Sequence, residues 1–378
     1  MSASSPAPSS YSPGLEGIVA GETAISTVED GLRYRGYAVG ELCERATYEH
    51  VAYLLLHGEL PNGDELASFK SRIATARRLP EPVKQLFPNV PKRGYPLDAL
   101  RTAISMTSLF DPDIDDSSRE ANLRKAERLL GQIPVMIADQ YRIGRGLQPV
   151  PANPDLGHAA NFLYMIRGTE ATPEEIRALD VSLILYAEHE FNASTFTARV
   201  IVSTQSELHS AVVGALGALK GPLHGGANEK VMDVLRVAGG PATAEAWTLA
   251  ALAKKERIMG FGHRVYKSGD VRAGILKKDA KAMAKTDELK AWEETAEIIE
   301  RVMAEKKSMY PNLDWPAGRL YHAMDLDIPI YTPMFAMSRI AGWAAHAMEQ
   351  LENNRLIRPR SNYIGHPARS VTENLASS

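Results

Sequence analysis

The sequence predicts a mainly α-helical fold of two domains with a short extended N-terminal segment, and three observations carry that expectation. Apolar residues recur at helical spacing through nearly all of the chain beyond about residue 37. Extended-type patterning is confined to Leu15 to about Tyr37, where GLEGIVAGETAISTVEDGLRYRGY mixes glycine, threonine and β-branched residues into short strands and turns. The length, 378 residues, is that of about two domains at the usual ~150 residues each.

Composition removes several classes of function. Hydrophobic residues make up 44% and charged residues 24%, values of a globular chain rather than a disordered or fibrous one. Lys+Arg total 43 against 46 Asp+Glu, a net charge of −3, so there is no general basic surface for nucleic acid and any anion site must be local. The single cysteine, Cys43, allows neither an internal disulfide nor a thiolate metal centre and fits a reducing, cytoplasmic setting. The longest apolar runs, VAYLLL at 51–56 and VSLILYA at 181–187, fall well short of the ~18–20 residues that cross a membrane. Residues 1–14, MSASSPAPSSYSPG, lack the basic start and apolar stretch of a secretory signal and read as a disordered leader.

Along the chain, Leu66, Phe69 and Ile73 form an apolar stripe behind Asn62, which is suited to capping a helix. TPEE at 172–175 is a start signal with three parts: Thr172 to cap, Pro173 at the first helical position and Glu175 to close a capping box. It predicts a helix over about 173–187. The polar stretch AEHEFNAST follows at its end. LHSAVVGALGAL, 208–219, is rich in alanine and glycine, which sacrifice helix propensity but let two helices approach closely, within the chain or between subunits. Leu289, Trp292, Ala296, Ile299 and Met303 mark one long helix. A last helix is expected after Pro333, with Ile340, Trp343, Ala347 and Leu351 facing the core. Three Gly/Pro-dense segments interrupt this pattern, GPLHGGAN (221–228), MGFGHRVYKSGDVRAG (259–274) and YPNLDWPAG (310–318), and chemistry is expected there.

Each loop offers a candidate with an ordinary structural alternative beside it. His224 lies among glycines before an expected helix start, which disfavours imidazolium, although a lone histidine is more often structural. His263 is followed by Arg264, Lys267 and Arg272, an anion-binding set or a solvated basic loop. Asp314, beside Trp315 and between two prolines, is a base with a raised pKa or simply a turn residue. Arg339, Arg358 and Arg360 read on their own as exposed arginines near a helix end. Metal chemistry is not expected: His189-Glu190 begins like HExxH, but Ala193 stands where the second histidine would be, and GxSxG, P-loop and EF-hand patterns are absent.

Taken together and in order, EHEFNASTFTAR, GPLHGGAN, GFGHRVYK with an arginine nine residues on, NLDW, TPMFAMSRIAGW and IRPR resemble the citrate synthase family, including its 2-methylcitrate synthase branch, from about Leu15 to Gly365. The resemblance implies a large helical domain (15–224 and 326–378) and a smaller mobile one (225–325), in a homodimer. It implies that His224 steadies the enol of the acyl thioester, that Asp314 removes the methyl proton and that His263 protonates the ketone of oxaloacetate. His189, Arg272 and Arg339 would hold the oxaloacetate carboxylates, with Arg358 supplied across the dimer and Phe335 beside the substrate. Ile258, Met259, Gly260, Phe261 and Gly262 would lie along coenzyme A, which is a substrate; no separate cofactor is implied. Two positions depart from the family wording: Trp315-Pro316-Ala317-Gly318 stands where Phe-Tyr-Ser-Gly is common, and Asp270-Val271 where Asp-Pro is usual. NLDW and EHEFNASTF lean toward the methylcitrate branch and GHRVYK toward citrate. The expected reaction joins acetyl-CoA to oxaloacetate. Propionyl-CoA is the nearest alternative, and a non-catalytic helical binding protein the more distant one.

Overall fold

A computed structural model describes residues 12–91, 94–263, 265–266 and 269–369. Residues 1–11 of the expected leader, and Arg264 and Lys267 of the expected basic loop, lie outside the described residues; the leader's last residues enter a short 3-10 turn, Pro13–Leu15. Three two-residue strands, β1 (Ser26–Thr27), β2 (Arg33–Tyr34) and β3 (Tyr37–Ala38), pair antiparallel in the order β1-β2-β3, with Ser26 opposite Tyr34 and Tyr34 opposite Tyr37. The remaining regular structure among the described residues is helical.

The first helices are α1 (Val39–Arg45), α2 (Tyr48–His57), α3 (Gly63–Thr75), the single turn α4 (Glu81–Lys84), α5 (Pro96–Thr107) and the long α6 (Arg119–Gly144). Asn62 caps α3 as its sequence implies: its Oδ1 accepts the N–H groups of Asp64 and Glu65, both at 3.0 Å, and Glu65 reaches back to the Asn62 N–H at 2.8 Å. Next come α7 (His158–Arg167), α8 (Pro173–Tyr186), α9 (Ala193–Val202) and α10 (Leu208–Leu219). The Thr172–Glu175 capping box starts α8, with Thr172 N–H donating to Glu175 at 2.9 Å. The small residues of α10 bring it against α9: a Cβ at Gly214 would collide with Ile201 Cδ1.

The chain then builds α11 (Ala227–Ala238), α12 (Pro241–Ala253), α13 (Val271–Met283), α14 (Asp287–Lys307) and α15 (Asp314–Ala323). These five pack on one another, α12 on α14 and both α11 and α13 on α15, and meet the rest mainly through α13 against α8 and α1 and α11 against α16 (Tyr331–Glu352). Two expectations are corrected here. Asp314 is not in a loop but opens α15, with Pro316 inside the first turn, and α16 starts at Tyr331 with Pro333 inside its first turn. The reason is shared: early N–H groups of a helix have no intrahelical acceptor, so a proline there removes no bond.

The final helix is also more deeply buried than one apolar face requires. Every residue from Tyr331 to Met348 is buried, with α2, α6, α8, α9 and α10 packed around it. A helix enclosed on all sides must satisfy its polar residues internally, and its close contacts need small ones. A Cβ at Gly342 would meet the Glu188 carboxylate and the Ala187 carbonyl. Gly342→Ala is therefore expected to destabilise the protein by about 1–3 kcal/mol through overpacking. Denaturant unfolding measures this, and an unchanged midpoint would mean that the α8–α16 contact yields freely.

Candidate active site

The turn between α8 and α9 is where the site begins. Tyr34 on β2 directs its hydroxyl to the carbonyls of Ile184, at 3.1 Å, and Glu188, at 3.0 Å, so the N-terminal sheet closes the open carbonyl end of α8. Glu190 takes the left-handed φ of 48°, which turns the chain, and Asn192 then caps α9, accepting from Thr195 N–H at 3.1 Å. This holds His189, buried, with Nε2 at 3.0 Å from the Tyr266 hydroxyl. Burial, with Arg272, His263 and Arg339 nearby, pushes the His189 pKa well below its usual value, so the ring is neutral.

Glu188 beside it is fully buried. Its Oε1 accepts from Ser26 at 3.0 Å and pairs with His346 Nε2 at 2.9 Å, while Arg199 approaches His346 Nδ1 at 3.0 Å and Glu349 at 2.6 Å. Burial alone would raise the Glu188 pKa; His346, Arg339 and Ser26 outweigh it and hold the carboxyl below its usual range.

Arg339 lies in mid-α16 and is 1% exposed, which corrects the expectation of an exposed arginine near a helix end. Its Nε donates to the Tyr186 carbonyl at 2.5 Å, its Cζ lies 4.7 Å from the centre of the Phe335 ring, and its Nη1 has no hydrogen-bond partner among the described residues. Burial lowers its pKa to about 10, which still leaves it charged. Arg272, in the first turn of α13, is likewise buried rather than part of a solvated loop. It grips the capping residue Asp270 through Nε at 3.0 Å and Nη2 at 2.8 Å. Burial works against its charge, but Asp270 more than compensates and raises its pKa.

The groups expected to react keep partial exposure while these supports do not. His224 directs Nε2 to Ser194 Oγ at 2.8 Å, and Trp343 Nε1 donates to the same oxygen at 3.1 Å. Burial first, and the Arg339 charge second, lower the His224 pKa to about 3, a neutral ring as expected but by desolvation rather than by the helix terminus alone. Asp314 Oδ1 accepts from Tyr186 OH at 2.7 Å. Dense packing around the carboxyl raises its pKa to about 6 against the opposing pull of Tyr186 and Arg272. Phe335 joins the two, its ring centre 5.8 Å from His224 and 4.4 Å from Tyr186. His263 lies 5.0 Å from His189, ring to ring, and its Nδ1 accepts the N–H groups of Val265 at 3.1 Å and Tyr266 at 3.3 Å, so the hydrogen of a neutral ring sits on Nε2. A cavity of about 190 Å³ opens beside it, lined by Gly262, Tyr266, Gly269 and Asp270 among others.

Not every expected residue joins the cluster. Arg358 is exposed on the irregular segment that follows α16 and is not drawn into the site within this chain. The 258–262 segment runs beside 310–312: Gly262 N–H donates to Tyr310 O and Asn312 N–H to Gly260 O, each at 2.9 Å. A Cβ at Gly260 would lie 2.7 Å from Trp315, so this glycine is required by packing, at a left-handed φ of 88°. Trp315 itself turns to Phe261, ring centres 4.7 Å apart and tilted by 55°, and donates to Glu300 at 2.8 Å; the aromatic at the carboxyl is Tyr186. Sequence reading passed over Tyr186, Ser194 and Glu188, whose only signal was proximity to His189.

A larger hollow of about 1050 Å³, between α3, α6 and residues 149–157, shares no residue with the cluster, and its Arg77 is committed to the Asn153 and Leu156 carbonyls. Among the described residues no three His, Cys, Asp or Glu side chains are grouped to hold a metal, and no helix is long and apolar enough to cross a membrane.

A mainly helical enzyme in which a neutral imidazole and a buried guanidinium meet one aromatic ring, with a desolvated carboxyl bonded to the adjoining tyrosine, is the class that fold and site define. Residues 14–360 match the family model described as citrate synthase, C-terminal domain. The chain is 46% identical over 354 residues to citrate synthase 2 of Bacillus subtilis, covering 93% of this chain and 95% of that one. It is also 46% identical over 359 residues to 2-methylcitrate synthase of Mycobacterium tuberculosis, covering 94% and 91%. The structure of Thermoplasma acidophilum citrate synthase in complex with carboxymethyl coenzyme A and oxaloacetate superposes with a TM-score of 0.91 at 33% identity, over 96% of this chain and 99% of that one. The chain belongs to the citrate synthase family, enzymes that convert an acyl group into an alkyl group on transfer.

Proposed function

We propose that the protein condenses oxaloacetate with acetyl-CoA and water to give citrate and free coenzyme A. The observation that carries this reading is the ring of Phe335, which His224 and Tyr186, the partner of Asp314, both approach, with the charged Arg339 against it. A thioester methyl is a very weak carbon acid, so a carboxylate removes its proton only when a preorganised donor meets the developing enolate oxygen. Asp314 takes that proton, and His224 donates to the thioester oxygen.

For His224 to donate through Nδ1, its Nε2 must accept the Ser194 hydroxyl proton, which then turns from Asn192 Oδ1, 2.8 Å from the same oxygen, while the Trp343 indole N–H donates to that oxygen. The enol carbon then attacks the ketone carbon of oxaloacetate, whose oxygen receives the Nε2 proton of His263. Water cleaves the resulting thioester, releasing the coenzyme A thiol and leaving a carboxylate. Oxaloacetate is a dianion, and Arg272, Arg339 with its unengaged Nη1, neutral His189 and Arg358 of the partner subunit are its anchors. Residues 258–262 run along coenzyme A.

Residues 225–325 carry His263 and Asp314, whereas His189 and Arg339 belong to the remainder, so closure of one part on the other assembles the site and keeps water from the thioester until the carbon–carbon bond exists. A homodimer in the cytoplasm is the expected working form, and the exposed Leu109, Phe110 and Leu223 supply apolar surface for it. The second reading, 2-methylcitrate formation from propionyl-CoA, is favoured by a relative of that name at equal identity and by the NLDW wording. One methylene is worth only ~1–3 kcal/mol of discrimination. The presence of His224, His263 and Asp314 together argues against a non-catalytic binding protein.

Asp314→Asn is expected to lower kcat by roughly 10²–10⁴-fold while oxaloacetate affinity stays near wild type; near-normal turnover would remove Asp314 as the base. Comparing kcat/KM for acetyl-CoA and propionyl-CoA decides the substrate, with a preference for acetyl-CoA expected and a tenfold preference for propionyl-CoA reversing the assignment. In solution scattering, oxaloacetate should contract the particle, and superimposable profiles with and without it would count against closure.

A further inference from the structure

We propose that Tyr186 is the positioning residue of the general base: its hydroxyl holds one carboxylate oxygen of Asp314, keeps the group ionised and leaves the other oxygen to receive the substrate proton. The inference rests on Asp314 being the base. Tyr186 ends α8, and three contacts fix it. Its carbonyl accepts Arg339 Nε at 2.5 Å, its ring lies 4.4 Å from that of Phe335, and its hydroxyl crosses to Asp314 Oδ1 at 2.7 Å. The phenol is buried and therefore needs a partner, and burial together with the Asp314 charge keeps its pKa well above the usual value. It thus stays a neutral donor throughout the working range.

A donor on a carboxylate favours the charged form, and an apolar surrounding disfavours it. The titratable and charged groups facing Asp314 are Tyr186 from α8, Arg272 and Asp270 from the start of α13, Arg339 from α16 and Tyr321 from its own helix. Of those that stabilise the carboxylate, Tyr186 acts most strongly, ahead of Arg272 and Arg339, while burial and Asp270 oppose it. The two arginines are also the proposed oxaloacetate anchors, so their charge at Asp314 is partly neutralised once that substrate is bound. The phenol is then the stabiliser that remains. An unheld carboxyl in this setting would be protonated through more of the neutral range and would rotate, and either change removes the acceptor oxygen from the methyl group.

The test is the pH profile of kcat/KM for the thioester, at saturating oxaloacetate, in wild type, Tyr186→Phe and Asp314→Asn. Tyr186→Phe keeps the ring and the backbone carbonyl, so oxaloacetate affinity should hold. The acidic limb of Tyr186→Phe should lie about one pH unit above that of wild type, with the loss deepest at low pH and relieved as pH rises. Replacement of Tyr186 by the more acidic 3-fluorotyrosine keeps the shape of the site, guards against a phenylalanine variant that fails to fold, and should move the limb down. Limbs that stay where wild type has them in both variants, with Asp314→Asn inactive, overturn the role of Tyr186 alone. An active Asp314→Asn overturns the base assignment and this inference with it.

Discussion

Burying charge inside a helix that is wrapped on every side is the constraint on which the rest of this structure depends. Helix α16 carries the charged Arg339 into an interior closed to solvent, and a buried charge is tolerated only when other groups replace that solvation. Glu188, its partner His346, and the outer pair Arg199 and Glu349 supply the replacement, and Glu349 also accepts Ala24 N–H at 2.7 Å, so the N-terminal segment is tied into the same network. Glycine at 342 is what allows Glu188 to come this close to the helix. The turn that bears His189 is therefore held from three directions: by the Tyr34 hydroxyl, by Glu188 and by the cap at Asn192.

From that support follows the electrostatic character of the site. Desolvation drives two imidazoles of the cluster, His189 and His224, neutral and the Asp314 carboxyl upward, and the nearby guanidinium groups push the histidines in the same direction. Arg339 keeps its charge with one nitrogen unengaged, as is needed to meet a carboxylate without first breaking a protein hydrogen bond. Arg272 differs, since its fork is already filled by Asp270. That pairing fixes the arginine at the start of α13, and Asp270 Oδ2 also accepts Leu313 N–H at 3.2 Å, next to Asp314. One ion pair thus positions both Arg272 and the entrance to the helix that bears Asp314.

Much of the helical framework was legible because local chemistry decided it. The capping boxes at Asn62 and Thr172 and the small-residue run at 208–219 act within a few residues, and the structure follows them closely. Proline misled twice, at Asp314, where a Gly/Pro-dense stretch reads as a loop, and at Pro333, which reads as the residue before a helix, because the first turn of a helix accepts proline without loss. Trp315 misled for another reason: its neighbour in sequence is Asp314, but side chains at adjacent helical positions point about 100° apart, and the indole packs on Phe261 instead.

By itself the sequence determined the class of fold, the order of its helices and, through six separated motifs, the residue types of the site. These depend on short-range propensity and on identity, which a linear string carries. Only the tertiary structure decided that Arg339 is interior with its Nη1 unengaged, that Tyr186 rather than Trp315 stands at the carboxyl, and that Nδ1 is the accepting nitrogen of His263. Those outcomes turn on distance and desolvation between residues far apart in the chain, such as Tyr186 and Asp314, which no local pattern encodes.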